Sequence, residues 1–371
     1  MSRSHIRRNV LFISLALAAA GAALSCNEQS TPTAPADQPV LARGGVQGPD
    51  LSAAIAAQER HTDRLLANAG VVGTAVGLTA DGRPAVKIFT ASEAVRGFPS
   101  TLDGIPVVVE VTGEISAIGP TAVPDAKPAP PSVDPTAFFT RPVPIGVSTG
   151  NQKDLVYLHA FCTSGTLGAR LTDGTSHYAL SNNHIYAVQN LGHIGDPIIQ
   201  PGQADLGCQA PDSDRIGTLT AFVPLVFGGK SSDTVDAAIA HVSADTVGTG
   251  TPSDGYGTPN STTALPSLSL AVQKYGETTG LTTGSVNAVN AAIKVKYSRG
   301  TAIFRDQIGI GGASFSGAGD SGSLIVTHDA HKNPVGLLFA GSSTTTFANP
   351  IDVVLRQLAS RLGGGKTLTI E

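Results

Sequence analysis

The sequence predicts a mainly β protein, a barrel or a sandwich, preceded by a small α+β module. Three observations carry this. Short β-prone runs recur almost to the C-terminus, separated by Gly, Asn, Asp and Pro, with no long helices between them. The chain of 371 residues holds 43 Gly, one Met and no Trp, a composition that suits strands and turns. Apolar residues at helical spacing occur near the N-terminal end, in 51–67 (Leu51, Ile55, Leu65 and Leu66 among alanines), and again in 351–361.

With 41% hydrophobic and 14% charged residues, the chain can bury a large core and is not disordered throughout. Its formal charge of −4, with no Lys/Arg stripe interleaved with aromatics, argues against a nucleic-acid partner. Arg3, Arg7 and Arg8 precede an apolar run over 10–24. This reads as an export signal and is too short for a convincing membrane span. Ala23-Leu24-Ser25-Cys26 then resembles the end of a bacterial lipoprotein signal, which implies that Cys26 is lipidated and becomes the mature N-terminus. Ala23 departs from the usual Leu, and ordinary secretion is the alternative. Either reading takes the protein out of the cytoplasm, with membrane contact only through a lipid anchor.

The order of segments follows. Residues 1–26 are the signal, and 27–50, rich in Pro, Gln, Thr and Ala, form a flexible tether. Residues 51–120 are the α+β module: a helix, two strands (71–79 and 85–90) joined by the turn Ala80-Asp81-Gly82-Arg83-Pro84, and a strand at 107–111. Prolines at 124, 128, 130, 131, 135, 142 and 144 mark 121–145 as an extended linker. From 146 to 371 the texture is β-rich, with strands expected near 165–171, 178–181, 216–223, 235–242, 270–275, 285–289, 293–297, 322–326 and 335–340. With Cys26 committed to a lipid, Cys162 and Cys208 remain, and in an oxidising compartment they form one disulfide. Two cysteines make no persuasive zinc site, and neither metal nor cofactor is expected.

The chemistry centres on Gly319-Asp320-Ser321-Gly322-Ser323. A serine flanked by glycines carries little bulk around its hydroxyl, and the glycines let backbone N–H groups converge on one point, as a nucleophile beside an oxyanion hole requires. A plain Gly/Ser turn is the competing reading. Of nine histidines, His184 differs from the rest. The strand-like Tyr178-Ala179-Leu180-Ser181 runs into Asn182-Asn183-His184 and then Ile185-Tyr186-Ala187, which holds an imidazole at a strand end.

At these residues the sequence resembles bacterial trypsin-like, chymotrypsin-fold serine peptidases. Residues 180–187 are similar to the family's histidine segment, residues 319–323 to its nucleophile segment, and Thr234-Val235-Asp236-Ala237-Ala238-Ile239-Ala240 to the strand carrying its aspartate. The order His, Asp, Ser is that of chymotrypsin-like enzymes. The resemblance covers 146–362 and implies two six-stranded antiparallel β-barrels. It also implies a triad of His184, Asp236 and Ser321, with Asp233 as the rival acid. The N–H groups of Gly319 and Ser321 would form the oxyanion hole, and Asp320 would brace the loop. Ala340 and Gly341 would lie on the substrate-pairing strand, and Phe315 or Ser316 would floor the specificity pocket. No acid stands there, so cleavage after Lys or Arg is not expected. Ser323 replaces the more usual Gly-Gly continuation. The activity so implied is that of a serine endopeptidase acting on protein or peptide. The competing readings are a catalytically silent binding or adhesion protein on the same fold and an esterase using the same residues.

Overall fold

Helix α1 (Ser52–Leu66) opens the computed structural model, which describes residues 50–117, 132–159, 161–229, 232–312 and 314–371. The expected signal, Cys26 and nearly all of the tether lie outside the described residues, as do residues 118–120 of the expected module and 121–131 of the Pro-rich linker. Among the described residues no helix is long and apolar enough to cross a membrane. All of them fall within one compact unit.

α1 buries Ala54, Ala57, Leu65 and Leu66 against strand β1 (Val71–Leu78). Two polar residues on that face, Gln58 and Thr62, are satisfied by the Thr74 hydroxyl, each at 2.8 Å, as buried polar groups must be. β1 turns through Gly82, at φ +82°, into β2 (Pro84–Thr90). β3 (Thr101–Leu102) and β4 (Ile105–Val111) follow, β4 lying parallel to β2. The α+β segment does not stand apart, because the free edge of β1 pairs antiparallel with a strand more than 200 residues downstream, through Gly73↔Ile293 and Thr74↔Ala292.

The first barrel is built from β5 (Ser148–Asn151), β6 (Gly165–Thr166), β7 (Ala169–Thr172), β8 (His177–Ser181), β9 (Pro197–Ile199), β10 (Arg215–Phe222) and β12 (Ala238–Val242). They run in the order β7-β8-β12-β10-β9-β5-β6. β6 and β7 are consecutive pieces of one extended run, and that closes the ring. The short helices α2 (Asp154–Leu158) and α3 (Asn183–Tyr186) lie in its loops. A disulfide joins Cys162 to Cys208, with Cα atoms 5.6 Å apart, so the loop it closes contains His184.

β11 (Ser232–Asp233) crosses to the second sheet. That sheet contains β13 (Ala271–Gly276), β14 (Gly280–Tyr297), β15 (Gly300–Gly311), β16 (Leu324–Thr327), β17 (Pro334–Gly341) and β18 (Thr345–Pro350). Pairings β13–β14, β14–β15, β15–β18, β18–β17, β17–β16 and β16–β13 close a second six-stranded antiparallel ring. The architecture is thus mainly β, two antiparallel barrels of the chymotrypsin-like kind. α4 (Ile351–Leu362) buries Val354, Leu355 and Leu358 in a core shared by Leu180 and Ile239 of the first barrel and Leu324 and Leu337 of the second. It ends at Gly363, φ +73°, where a residue without Cβ is favoured. β19 (Thr369–Ile370) then pairs back onto β7.

Two expected runs, 285–289 and 293–297, are one strand. β14 is continuous, with register shifts against β15 between Val286 and Ile293 and Asn290 at φ +52°. These bulges bend the strand and break its alternation, so the sequence shows two pieces. β15 and β18 lie outside the expected runs. Buried polar residues, Gln307 in β15 and Thr345, Thr346 and Asn349 in β18, interrupt the apolar pattern that marks a strand.

Candidate active site

β8 ends at Ser181, and Asn182 keeps an extended backbone before the single turn of α3. The two asparagines fasten this turn: Asn182 Nδ2 donates to the Asp236 carbonyl and Asn183 Nδ2 to the Val223 carbonyl, each at 2.7 Å. Because β8 pairs with β12 through Ser181↔Ala238, the residues just before β12 lie beside those just after β8. Asp236 therefore faces His184. Its Oδ1 accepts the His184 backbone N–H at 3.1 Å, and its Oδ2 accepts from His184 Nδ1 at 2.6 Å. Both side chains are fully buried. With Nδ1 donating, the neutral imidazole presents Nε2 as an acceptor, and Nε2 has no hydrogen-bond partner among the described residues. The rival acid, Asp233, instead accepts the Val226 N–H.

Ser321 comes from the other barrel, on the loop before β16. Gly319 and Gly322 take φ of +100° and +96°, which residues with a Cβ rarely adopt. Any Cβ on Gly322 would also strike the Thr166 carbonyl. Asp320 holds the loop from inside: it accepts the N–H groups of Gly317 (2.8 Å), Thr278 (3.0 Å) and Thr279 (3.2 Å) and the Thr279 hydroxyl (2.6 Å). Lys274 Nζ stands 3.3 Å from Asp320 Oδ2, and neither side chain reaches solvent. Burial lowers the lysine's pKa, and the Asp320 charge opposes that shift. Lys274 also donates to Gly280 O at 3.0 Å and to the Thr279 hydroxyl. Beneath Gly319 lies Glu277, whose carboxyl burial pushes well above the usual range. Thr166 N donates to Ser321 O at 2.7 Å, and Ser181 Oγ to Thr166 O at 2.8 Å. The serine loop is thereby tied to the end of the strand that delivers His184. Among the described residues, the N–H groups of Gly319 and Ser321 form no hydrogen bond.

The Ser321 hydroxyl does not meet His184. It donates to the carbonyl of Ala117 at 3.2 Å. Residues 115–117 form a strap between the ends of β14 and β17. Ser116 exchanges two 3.0 Å hydrogen bonds with Gly341 of β17, Ala117 N donates to Lys296 O at 3.1 Å, and Lys296 N to Ile115 O at 2.9 Å. Ile115 and Ala117 are buried with Ala340, Phe339 and Phe347. Ser321 itself is only 6% exposed.

Of the residues expected around the specificity pocket, Gly341 pairs with the strap and Ala340 packs under it. Ser316 Oγ lies 2.6 Å from Thr346 Oγ1. Phe315 is 1% exposed and belongs to a core cluster with Ile308 and Ile310, so it backs the region from inside. Two parts of this arrangement carry no role in the sequence reading: the strap and Lys274. Lys274 left a signal, a lone cation inside the strand run Ala271-Val272-Gln273-Lys274-Tyr275. The strap left none.

No family model matches the chain, and no curated protein does. Among solved structures it is similar to a glutamic acid specific serine protease, at TM-score 0.41 and 18% identity. It is likewise similar to protease A of Thermobifida fusca, at 0.41 and 17%, and to an alpha-lytic protease homolog, N4, at 0.40 and 18%. In each case 62% of this chain and 100% of the other are covered. Likeness of this degree assigns no activity.

Proposed function

We propose that the chain is a serine endopeptidase whose intact form is latent. The observation that carries this is the buried His184–Asp236 pair at 2.6 Å, with its free Nε2 at the cleft that also holds a glycine-flanked serine. In the reaction, Ser321 Oγ attacks a peptide carbonyl and His184 Nε2 takes its proton. Asp236 keeps the imidazole in the required tautomer and stabilises the imidazolium. The N–H groups of Gly319 and Ser321 receive the oxyanion, a term in which one donor is worth roughly 3–4 kcal/mol. The imidazolium returns its proton to the leaving amine, and water then opens the acyl-enzyme with the same histidine as base. A substrate strand pairs with Gly341 in place of Ser116. The strap must leave first, because it holds both that edge and the nucleophile's hydroxyl.

Export, with Cys26 lipidated, belongs to the same proposal and rests on residues 1–39 of the sequence. So does the expectation that cleavage does not follow Lys or Arg, since Ser316, Ala340 and Gly341 bring no acid. An esterase would use the same groups. The test is hydrolysis of unfolded protein, peptide amides and simple esters by the intact chain and by chain nicked after residue 117. Cleavage of amides that rises on nicking and vanishes in Ser321→Ala supports the proposal. Ester turnover without amide turnover overturns the peptidase assignment, and equal amide turnover by the Ala variant overturns the site.

A further inference from the structure

Asp236 accepts one more hydrogen bond, which the mechanism above does not use. Tyr297, the last residue of β14, donates its phenol to Asp236 Oδ2 at 2.8 Å, the same oxygen that serves His184 Nδ1. The ring sits in an aromatic cage, edge-on to His184 at 5.9 Å and to Phe227 at 5.6 Å, with Phe304 at 6.3 Å. It is 8% exposed. The strand end is anchored to the residues that follow the histidine turn: Ser298 Oγ donates to Gln189 Oε1 at 3.0 Å, and Arg299 N to the same atom at 3.2 Å. The backbone that carries Tyr297 is thus tied to the histidine's own loop.

We propose that Tyr297 is a positioning residue of the triad, holding the Asp236 carboxylate in the plane and register that orient His184; this rests on the peptidase reading of the site. A carboxylate with one oxygen on the His184 backbone and the other on the imidazole still has a free lone pair, and a buried charge so placed needs a further donor. The phenol supplies it and draws part of the negative charge toward itself. Burial, and the charges of Asp236 and Asp233, push that phenol well above its ordinary pKa, so the donor stays protonated wherever an imidazole titrates.

Removing the hydroxyl leaves more of the Asp236 charge to stabilise the imidazolium, so His184 becomes more basic. The experiment is an NMR titration of His184 in full-length, isotopically histidine-labelled protein, comparing parent and Tyr297→Phe. The pH midpoint is expected to rise by about half a unit to one unit. In active, nicked enzyme kcat is expected to fall roughly three- to tenfold with KM unchanged, the loss of one hydrogen bond to a charged group. Asp233 titrates at the same corner, and Lys296, Glu114 and Arg299 flank it, so the shift must persist in an Asp233→Asn background. Fluorotyrosine at 297, a stronger donor on an intact ring, should move the midpoint the other way, and it decides the matter if the Phe variant is unstable. An unchanged His184 midpoint in folded Tyr297→Phe, or in the fluorotyrosine protein, overturns the proposal. The titration needs no turnover, so it reports on Tyr297 even if the peptidase reading fails.

Discussion

Ser321 Oγ donates a hydrogen bond to the carbonyl of Ala117, 3.2 Å away, so the hydroxyl proposed as the nucleophile is held by the same chain, 204 residues upstream. The N-terminal segment reaches that position because β1 adds to the edge of β14 and the chain then returns along β4 to the cleft. The sheet pairing anchors the segment, and the strap is its far end.

Loosening the strap should release activity. Ser116→Pro removes the N–H that bonds Gly341 O and leaves every triad residue untouched. One lost hydrogen bond is worth about 1 kcal/mol. The loss of strand geometry adds to it, so turnover of a peptide amide should rise at least ~10-fold. A rate equal to that of the parent would show that the strap does not limit access.

The Lys274–Asp320 pair should be far more sensitive to single than to double substitution. Lys274→Met leaves the Asp320 carboxylate buried and short of its cation, which typically costs ~3–5 kcal/mol. Lys274→Met combined with Asp320→Asn removes both charges and should recover much of that loss. Chemical denaturation of the three variants measures the coupling. Additive effects would mean that the two residues do not act as a pair.

Asp233 should make stability depend on pH. Burial, with the nearby Asp236 charge, pushes its carboxyl up to about 6 from 3.8, against the opposing Val226 N–H. The folded state then keeps a proton that the unfolded chain releases. The resulting stability is complete below pH 3.8 and is lost as pH rises through about 6. Asp233→Asn should flatten this slope and raise stability at pH 8 by roughly 2–3 kcal/mol, as read from denaturant midpoints at pH 4 and 8. An unchanged slope would assign the pH dependence to other groups.

Opening the Cys162–Cys208 bridge, which spans 46 residues, frees in the unfolded chain a loop that contains His184. Replacing both cysteines by Ser should lower stability by about 2–4 kcal/mol, seen as an earlier unfolding transition in denaturant. A transition unmoved by the double substitution would make the bridge dispensable.

Much of this site was legible because its motifs are local. Leu180-Ser181-Asn182-Asn183-His184 and Gly319-Asp320-Ser321-Gly322-Ser323 each carry their chemistry within five residues, and β12 after Asp236 reads as apolar from sequence. The helices 52–66 and 351–362 followed from spacing, and the disulfide from the cysteine count. What escaped depends on contacts across hundreds of residues. Ile115-Ser116-Ala117 has the composition of any loop, and only the pairing of β1 with β14 carries it into the cleft. Tyr297 ends a strand whose bulges hide its period, and it meets Asp236 only once that strand has curved around the barrel. Gln307 and Asn349 look like surface residues, yet they form a buried chain, Asn349 Nδ2 to Gln307 Oε1 at 2.6 Å and Asp236 N to Asn349 Oδ1 at 3.0 Å, that steadies the Asp236 backbone.

The measurement that bears most directly on the central claim is mass-spectrometric mapping of a fluorophosphonate adduct on the Ser116→Pro chain and on the same chain carrying Ser321→Ala. A single adduct on the peptide containing Ser321, absent from the Ala variant at unchanged unfolding temperature, is the predicted result. An adduct retained by the Ala variant, or none on either protein, would contradict it.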